Sequence, residues 1–415
     1  MADRIFILVI ISILLLLIDW YIYRAVRAIK PGWAKNSLPY IWWGFSLLLI
    51  LGVFIGIFFN LRLSLRAIIL VAFFMTVISK ILLLPFVLVD DLRRAVLWVK
   101  QKYFYSAKKS DAEPKTKETI TRSDFIIKAG IAVAALPFAT LTYGIISGAY
   151  DYQINRRKIY FPNLPKAFDG IKLAQISDIH SGSFYNKKAV LGGVEMLLAE
   201  KPDIIFFTGD LVNNVAPEMK DYQDIFSKVK APLGVYSILG NHDYGDYYYG
   251  QGPSAAKASN LVAVKNIHNV LGWDLLINAN RIVKVDNEEI SIIGIENWGA
   301  GRFPKYGKMD LAVQKTDNSP VKLLLSHDPS HWRGQVISEY PEIDMMFSGH
   351  THGMQFGVVT DRFQWSPIQY IYKEWAGLYQ EKHQQLYVNV GYGFLGYPGR
   401  VGVLPEITIF ELKKG

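Results

Sequence analysis

The chain divides by its pattern of apolar and polar positions. Residues 5–18 are almost unbroken Ile, Leu, Phe and Val, and the apolar character continues through 20–23. Residues 39–59 form a second such run, and 67–89 a third, interrupted by Lys80 and a few hydroxyls. A fourth, 125–150, holds Lys128 near its start and Pro137 and Gly144 inside. Each is long enough to cross a hydrocarbon core of about 30 Å as a helix. Trp20, Tyr21, Tyr23, Trp42 and Trp43 have the character of interfacial belt residues. Lys80 is expected to snorkel or to face a neighbouring helix.

Beyond residue 150 the apolar runs shorten. Residues 171–176, 203–207, 235–239, 321–325 and 343–347 are strand-length, without a clear period, and each is followed at once by polar residues or glycine. Such runs read as strands buried on both faces. Helical stretches lie between several of them, at 187–200, 218–229 and 254–264. Residues 281–285, 289–295, 385–390 and 406–412 add strands, with Asp286-Asn287 as a turn. Strand–helix alternation predicts an α/β fold, and two packed sheets with helices outside accommodate the count. Ligands in such sheets bind where the carboxyl ends of strands open into loops.

The expected organisation is therefore three transmembrane helices with a basic juxtamembrane segment over 1–105, a polar linker over 106–124, a fourth transmembrane helix over 125–150, and a catalytic-type domain over 151–415. The formal charge is +9. Many cations flank the apolar runs: Arg24, Arg27, Lys30 and Lys35, then Arg93, Arg94, Lys100, Lys102, Lys108 and Lys109. That placement suits anionic headgroups. No basic run alternates with stacking aromatics in the last 250 or so residues, so no nucleic-acid partner is expected. The absence of cysteine excludes disulfides, thiolate nucleophiles and thiolate metal sites.

The strand ends carry the chemistry. In order they are Ser177-Asp178-Ile179-His180, Thr208-Gly209-Asp210, Gly240-Asn241-His242-Asp243, Ser326-His327-Asp328 and Gly349-His350-Thr351-His352. Five of the eight histidines fall there. Imidazole, carboxylate and amide oxygen are the ligands of divalent ions that hydrolyse phosphate esters. Two ions about 3.5–4 Å apart share one carboxylate and one water, which becomes a hydroxide nucleophile near neutral pH. Asp178 and Asp210 bring two negative charges against four positive ones, so the site keeps a charge that suits a phosphate anion. In Asp-x-His and His-x-His, residues two apart on an extended segment face one pocket.

This ordered set resembles the calcineurin-like metallophosphoesterase superfamily over about residues 160–412, in its membrane-anchored branch. The resemblance implies an α/β/β/α four-layer sandwich with a binuclear centre between the sheets. It implies one divalent ion on Asp178, His180, Asp210 and His352, and a second on Asp210, Asn241, His327 and His350, with Asp210 bridging. The metal is Mn, Fe or Zn. His242 would protonate the leaving oxygen or stabilise the phosphoryl charge, with Asp243 holding its ring. Arg400, in the glycine-rich stretch 391–402, is a candidate to grip a substrate phosphate. The aromatic segment 363–379 reads as a lid, a lipid-facing edge or a packed insertion. His268, His331 and His383 match no ligand position. The expected function is metal-dependent hydrolysis of a phosphate ester or pyrophosphate bond on a lipid-linked or membrane-proximal substrate. The alternative is a non-catalytic binding scaffold on the same fold, which would be expected to have lost ligands or the acid histidine.

Basic residues also orient the bundle. The loops 24–39, 60–66 and 90–122 carry four, two and nine Lys and Arg. Positive loops stay inside, so four spans leave everything after residue 150 on the extracytoplasmic side. Protease added to right-side-out vesicles should therefore digest the 151–415 domain; full protection would place it in the cytosol.

Overall fold

Long apolar runs become helices because only a helix satisfies every backbone group without water. The computed structural model describes residues 2–28, 37–59, 63–104, 122–301, 304–360 and 363–415. It divides into two units, 1–142 and 143–415. The first is built from α1 (Ala2–Ala28), α2 (Leu38–Phe58), α3 (Leu63–Phe104) and α4 (Arg122–Ile146), the last running on into the second unit. All four are long and apolar enough to span a membrane. The third expected span and the basic segment after it form one continuous helix of 42 residues, with Pro85 inside it. The linker expected at 106–124 lies outside the described residues except for its last three, which begin α4. Lys30, Lys35, Lys108 and Lys109 also lie outside them.

Lys80 does face a neighbouring helix. Its Nζ lies 2.6 Å from Asp19 Oδ1 on α1 and 3.3 Å from Ser46 Oγ on α2. Asp19 is buried. The sequence reading ended the first run at residue 18 and so missed this partner.

The second unit contains two six-stranded sheets. Its strands are β1 (Gln153–Phe161), β2 (Lys172–Ile176), β3 (Ile204–Phe207), β4 (Val235–Ser237), β5 (Asp274–Leu275), β6 (Ala279–Val285) and β7 (Glu288–Gly294). They continue with β8 (Lys322–Leu325), β9 (Met345–Ser348), the short pair β10 (Val358–Val359) and β11 (Gln364–Trp365), β12 (Gly377–Glu381), β13 (Gln384–Val388) and β14 (Glu406–Lys414). The first sheet runs β1-β14-β2-β3-β4-β5, and the second β12-β13-β9-β8-β7-β6. In the first, β2, β3, β4 and β5 are mutually parallel. In the second, β7, β8, β9 and β13 are.

Inner strands such as β3, β8 and β9 have no polar face because both of their faces are buried. Along β3, Ile204 and Phe206 enter the core between the sheets, while Ile205 and Phe207 pack on the helical side. Along β8, Leu323 and Leu325 point inward and Leu324 outward. The inner core joins residues of both sheets, including Phe206, Phe347, Tyr387 and Phe410. The outer face of the first sheet is covered by the helices Lys187–Ala199 and Ala255–Leu271. That of the second is covered by shorter turns around Met309 and Trp332. These are the four layers α/β/β/α.

Three local departures have clear causes. The helix expected at 218–229 is two short turns, Ala216–Met219 and Gln223–Phe226. Glu218 there turns its carboxylate back to accept from Asn213, Asn214 and Val215 N–H. The helix expected at 254–264 extends to Leu271 and stops at Gly272, whose φ of 77° ends it in the left-handed region. β1 escaped notice because Arg156, Arg157 and Lys158 interrupt its apolar residues, as suits an edge strand.

His268 is buried, with Nδ1 2.9 Å from Ser237 Oγ. Burial pushes its ring down to about 3. An unfolded chain protonates a histidine near 6.5. The stability from the neutral buried ring is therefore complete above that pH and is lost as pH falls toward 3. Between pH 7 and 5 the parent should lose about 2 kcal/mol that His268→Gln retains, measured by denaturant unfolding with chelator in both samples.

Candidate metal centre

The ends of β2, β3, β4, β8 and β9 open on the same edge of the two sheets, so the polar residues that follow them converge. Reaching that point requires sharp turns. Asp178, His180, Asp210, His350 and His352 all have positive φ, between 49° and 73°. Asp and His tolerate this region better than most residues, at a cost of about 1–3 kcal/mol each. Two glycines make room. A Cβ on Gly240 would strike the Asp210 carboxylate, and one on Gly349 would strike Ser177 and Asp178 side chains.

Two groups of donor atoms result: Asp178, His180 and His352, and Asp210, His327 and His350. Within each group the potential ligand atoms lie within 4.8 Å of one another. In the first, His352 Nε2 lies 3.2 Å from Asp178 Oδ1 and 3.0 Å from His180 Nε2. In the second, His350 Nδ1 lies 3.3 Å from His327 Nε2 and 2.8 Å from Asn241 Oδ1, which adds the amide oxygen. Asp210 joins the groups through one atom. Its Oδ2 is 3.4 Å from His180 Nε2 and 3.2 Å from His327 Nε2. Facing ring nitrogens can share at most one proton, so pairs of them turned on a carboxylate fit a cation. The mixed imidazole, carboxylate and amide set fits divalent metal.

Second contacts fix the rings. His327 Nδ1–H donates to Thr208 O at 2.7 Å, which leaves Nε2 for the site. His350 Nε2–H donates to Tyr372 Oη at 2.8 Å, and Tyr372 Oη–H donates to Asp328 Oδ2 at 3.3 Å. That relay leaves Nδ1 facing Asn241 and His327 as the candidate ligand atom. Asp178 accepts from His350 N, tying the two sheets together across the site. Burial opposes charge on both aspartates, yet the neighbouring histidines outweigh it and hold Asp178 and Asp210 below the usual carboxylate range. Burial likewise opposes charge on His327, but Asp210 and Asp178 lift it to about 10. The ring behaves as a cation's place among carboxylates.

His242 stands beside the ligands. Its Nδ1–H donates to Asn213 O at 2.8 Å, and its ring stacks on Tyr247 at 4.5 Å. Its edge meets His180 at 4.9 Å. That bond leaves Nε2 as the ring's second nitrogen.

Two expected roles change. Asp243 does not hold the His242 ring. Its carboxylate accepts from the backbone N–H groups of Asp210, Leu211, Val212 and Gly240. Adjacent residues on a tight turn point different ways, and Asp243 points under the loop that carries Asp210. Arg400 does not reach a substrate. It is fully buried, and its guanidinium donates to the carbonyls of Val390, Gly391, Gly393 and Val403. It holds the glycine-rich loop behind His352. Asn213, Asp328 and Tyr372 were missed. Asp328 stood beside His327 in its motif, and Tyr372 lay in the aromatic segment, so the signals existed without their roles. His268 and His331 are buried core histidines on serine hydroxyls, and His383 bonds Pro341 O.

Comparison with known proteins gives this arrangement a class. Residues 171–354 match the family model described as "Calcineurin-like phosphoesterase". The chain belongs to the calcineurin-like metallophosphoesterases. Residues 3–149 match the model described as "Probable Calcineurin-like phosphoesterase, transmembrane domain", which places it in the membrane-anchored branch of that family. A transmembrane protein with metallophosphoesterase domain from Danio rerio is 27% identical over 99% of this chain and 90% of its own length. An uncharacterized metallophosphoesterase of Bacillus subtilis is 29% identical over 60% of this chain and 82% of its own. One from Helicobacter pylori is 26% identical over 75% of this chain and 76% of its own.

The relay through Tyr372 is testable. Tyr372→Phe keeps the ring and removes the hydroxyl. It should weaken metal binding at the His350 group about 10–100-fold, as loss of an outer hydrogen bond to a ligand histidine does, while one equivalent of metal stays bound as tightly as in the parent. Calorimetric titration of the metal-stripped protein checks this.

Proposed function

We propose that this protein hydrolyses a phosphate ester or pyrophosphate bond with two divalent ions, and that its substrate is lipid-linked or lies close to the membrane. The observation that carries the hydrolase reading is Asp210 Oδ2, which faces a histidine of each ligand group. A shared carboxylate is what a two-ion centre needs. When bound, such ions supply Lewis acidity and a water acid enough to act as nucleophile near neutral pH. Asp178, His180, Asp210 and His352 would hold one, and Asp210, Asn241, His327 and His350 the other.

The chain's own groups do the rest. Asn213 O fixes the His242 tautomer, and Tyr247 fixes its plane. The Nε2 proton of His242 then passes to the leaving oxygen. His242 N–H also donates to Asp210 Oδ1, so acid and bridging carboxylate move as one body. Beside Asn241 lies a cleft of about 150 Å³, lined by Tyr244, Tyr247, Asn297 and Tyr306 among others. That is below the roughly 300 Å³ of a typical small-molecule site. It admits a phosphoryl group and a small part of what it is bonded to, while the bulk of the substrate stays outside. A substrate held in a bilayer meets that condition, and four spans keep the site at high effective concentration of lipid phosphate. The basic loops support an extracytoplasmic side for the catalytic domain.

Purified full-length protein with Mn²⁺ should cleave a chromogenic phosphodiester, and lipid phosphodiesters in mixed micelles faster. His242→Ala should lose about 10²–10⁴-fold in kcat, the range of general acid catalysis, with metal content unchanged. Undiminished turnover in that variant would remove His242 from the chemistry. Inertness of every ester under several metals would leave a binding scaffold.

A further inference from the structure

β10 and β11 form a sheet of their own, with Val358 opposite Trp365 and Val359 opposite Gln364. Beyond Val359, Thr360 N–H donates to Phe363 O at 2.9 Å. Neighbouring residues of a strand point to opposite faces, yet Val358 and Val359 are both exposed, and so is Phe363. An isolated two-stranded ribbon is marginal in water, and apolar residues exposed on both faces leave this one without a core. Met354 and Phe356, just before it, are exposed as well. The sequence from 354 to 371 holds two charged residues, Asp361 and Arg362, of opposite sign. An exposed apolar segment of this kind marks a contact. Because its charges cancel, that contact is apolar rather than electrostatic.

What covers the ribbon follows from where its base is held. Gly357 N–H donates to Val401 O at 2.9 Å, and Val401 N–H to Gln355 O at 2.8 Å. The preceding residue, Arg400, donates its N–H to Gly144 O at 3.1 Å, in the last turn of α4. A Cβ on Gly144 would strike the Val401 side chain. Arg400 and Val401 thus hold both the base of the ribbon and the end of a membrane span. α4 has 25 residues, about 37 Å of rise against a hydrocarbon core of about 30 Å, so its last turn stands at the boundary with the headgroups. Tyr143 and Ile146 in that turn are exposed, as suits such a boundary. The topology puts the candidate ligands on the same edge. β1, which follows α4, starts at Gln153 beside Glu406 at the start of β14. β14 runs antiparallel to β2, whose end leads to Asp178. The chain therefore enters the second unit where the candidate ligands converge, and the ribbon continues from the turn that carries His352.

We infer that the β10–β11 ribbon, with Met354 and Phe356, inserts into the lipid surface from which α4 emerges. The partner is the bilayer itself, entered to about 5–10 Å as other interfacial apolar faces enter it. This contact does not rest on the hydrolase reading. It requires only that α4 spans the membrane.

The chain has no cysteine, so a single introduced cysteine can carry a fluorophore. Val358→Cys and Val359→Cys, one on each face of the ribbon, are labelled with nitrobenzoxadiazole in full-length protein, in phosphatidylcholine nanodiscs holding one copy each. Tyr160→Cys is the reference. Tyr160 is exposed near the far end of β1, about 23 Å from Gln153 and the edge where α4 joins. Far-UV circular dichroism and the melting temperature should match the parent in all three, because each position is exposed. Both ribbon probes should emit further to the blue than the Tyr160 probe. Nitroxide-bearing phosphatidylcholine should remove most of their emission and leave the Tyr160 probe unchanged, with a quenching depth of about 5–10 Å below the headgroup boundary. The quenching should survive about 1 M salt, where charge is screened beyond about 3 Å. Ribbon probes as unquenched as the Tyr160 probe would overturn insertion. A blue shift without lipid quenching would mean packing against protein and would overturn it too, and so would quenching that disappears in salt.

Discussion

The loops at the open edge of the two sheets meet at one carboxylate. Asp210 leaves β3 with φ at 60° and puts Oδ2 between His180 and His327. Its Oδ1 takes the backbone of His242, and its own N–H is held by Asp243. The loops after β2, β3, β4 and β8 are thus fastened to a single residue, and Asp178 fastens the loop after β9. Two sheets with separate hydrogen-bond ladders are joined across their open edge by these side chains. The charge of the aspartates makes the join conditional. Buried anions need a cation or protonated imidazoles beside them, so this edge also depends on what occupies it.

The parts of this fold that were legible in the sequence share one physical cause. A parallel strand covered on both faces is uniformly apolar, and its polar residues can stand only at its ends. Runs such as 203–207 and 321–325 therefore announced both the strand and the loop that follows it. The twofold choice between outer and inner core, seen in Ile205 against Phe206, leaves no trace in such a run. Edge strands obey the opposite rule. β1, with three consecutive cations, looks like a loop until β14 is beside it.

The candidate ligands were legible because their types and spacing answer to metal chemistry. The groups that hold them were not. Tyr372 acts on His350 from 22 residues away and Asn213 on His242 from 29. Nothing local distinguishes that tyrosine from the others in its aromatic segment. Arg400 shows the converse. A sequence gives an arginine its charge but not its burial, and here the fork is consumed by four carbonyls. Asp19 was hidden differently, at the margin of an apolar run where an interfacial carboxylate is unremarkable, until α3 brought Lys80 to it.

The left-handed backbone at five candidate ligand positions carries a cost. Glycine would occupy those φ values with less strain than aspartate or histidine does. The chain therefore holds residues that its own backbone disfavours at the place where their side chains converge. A chain with glycine or asparagine at Asp178, His180, Asp210, His350 and His352 would relieve that backbone strain, and would lose with it the contacts that join the loops. The cores of the sheets would remain, while the open edge came apart. The strain in these loops and the joining of the sheets thus rest on the same five residues.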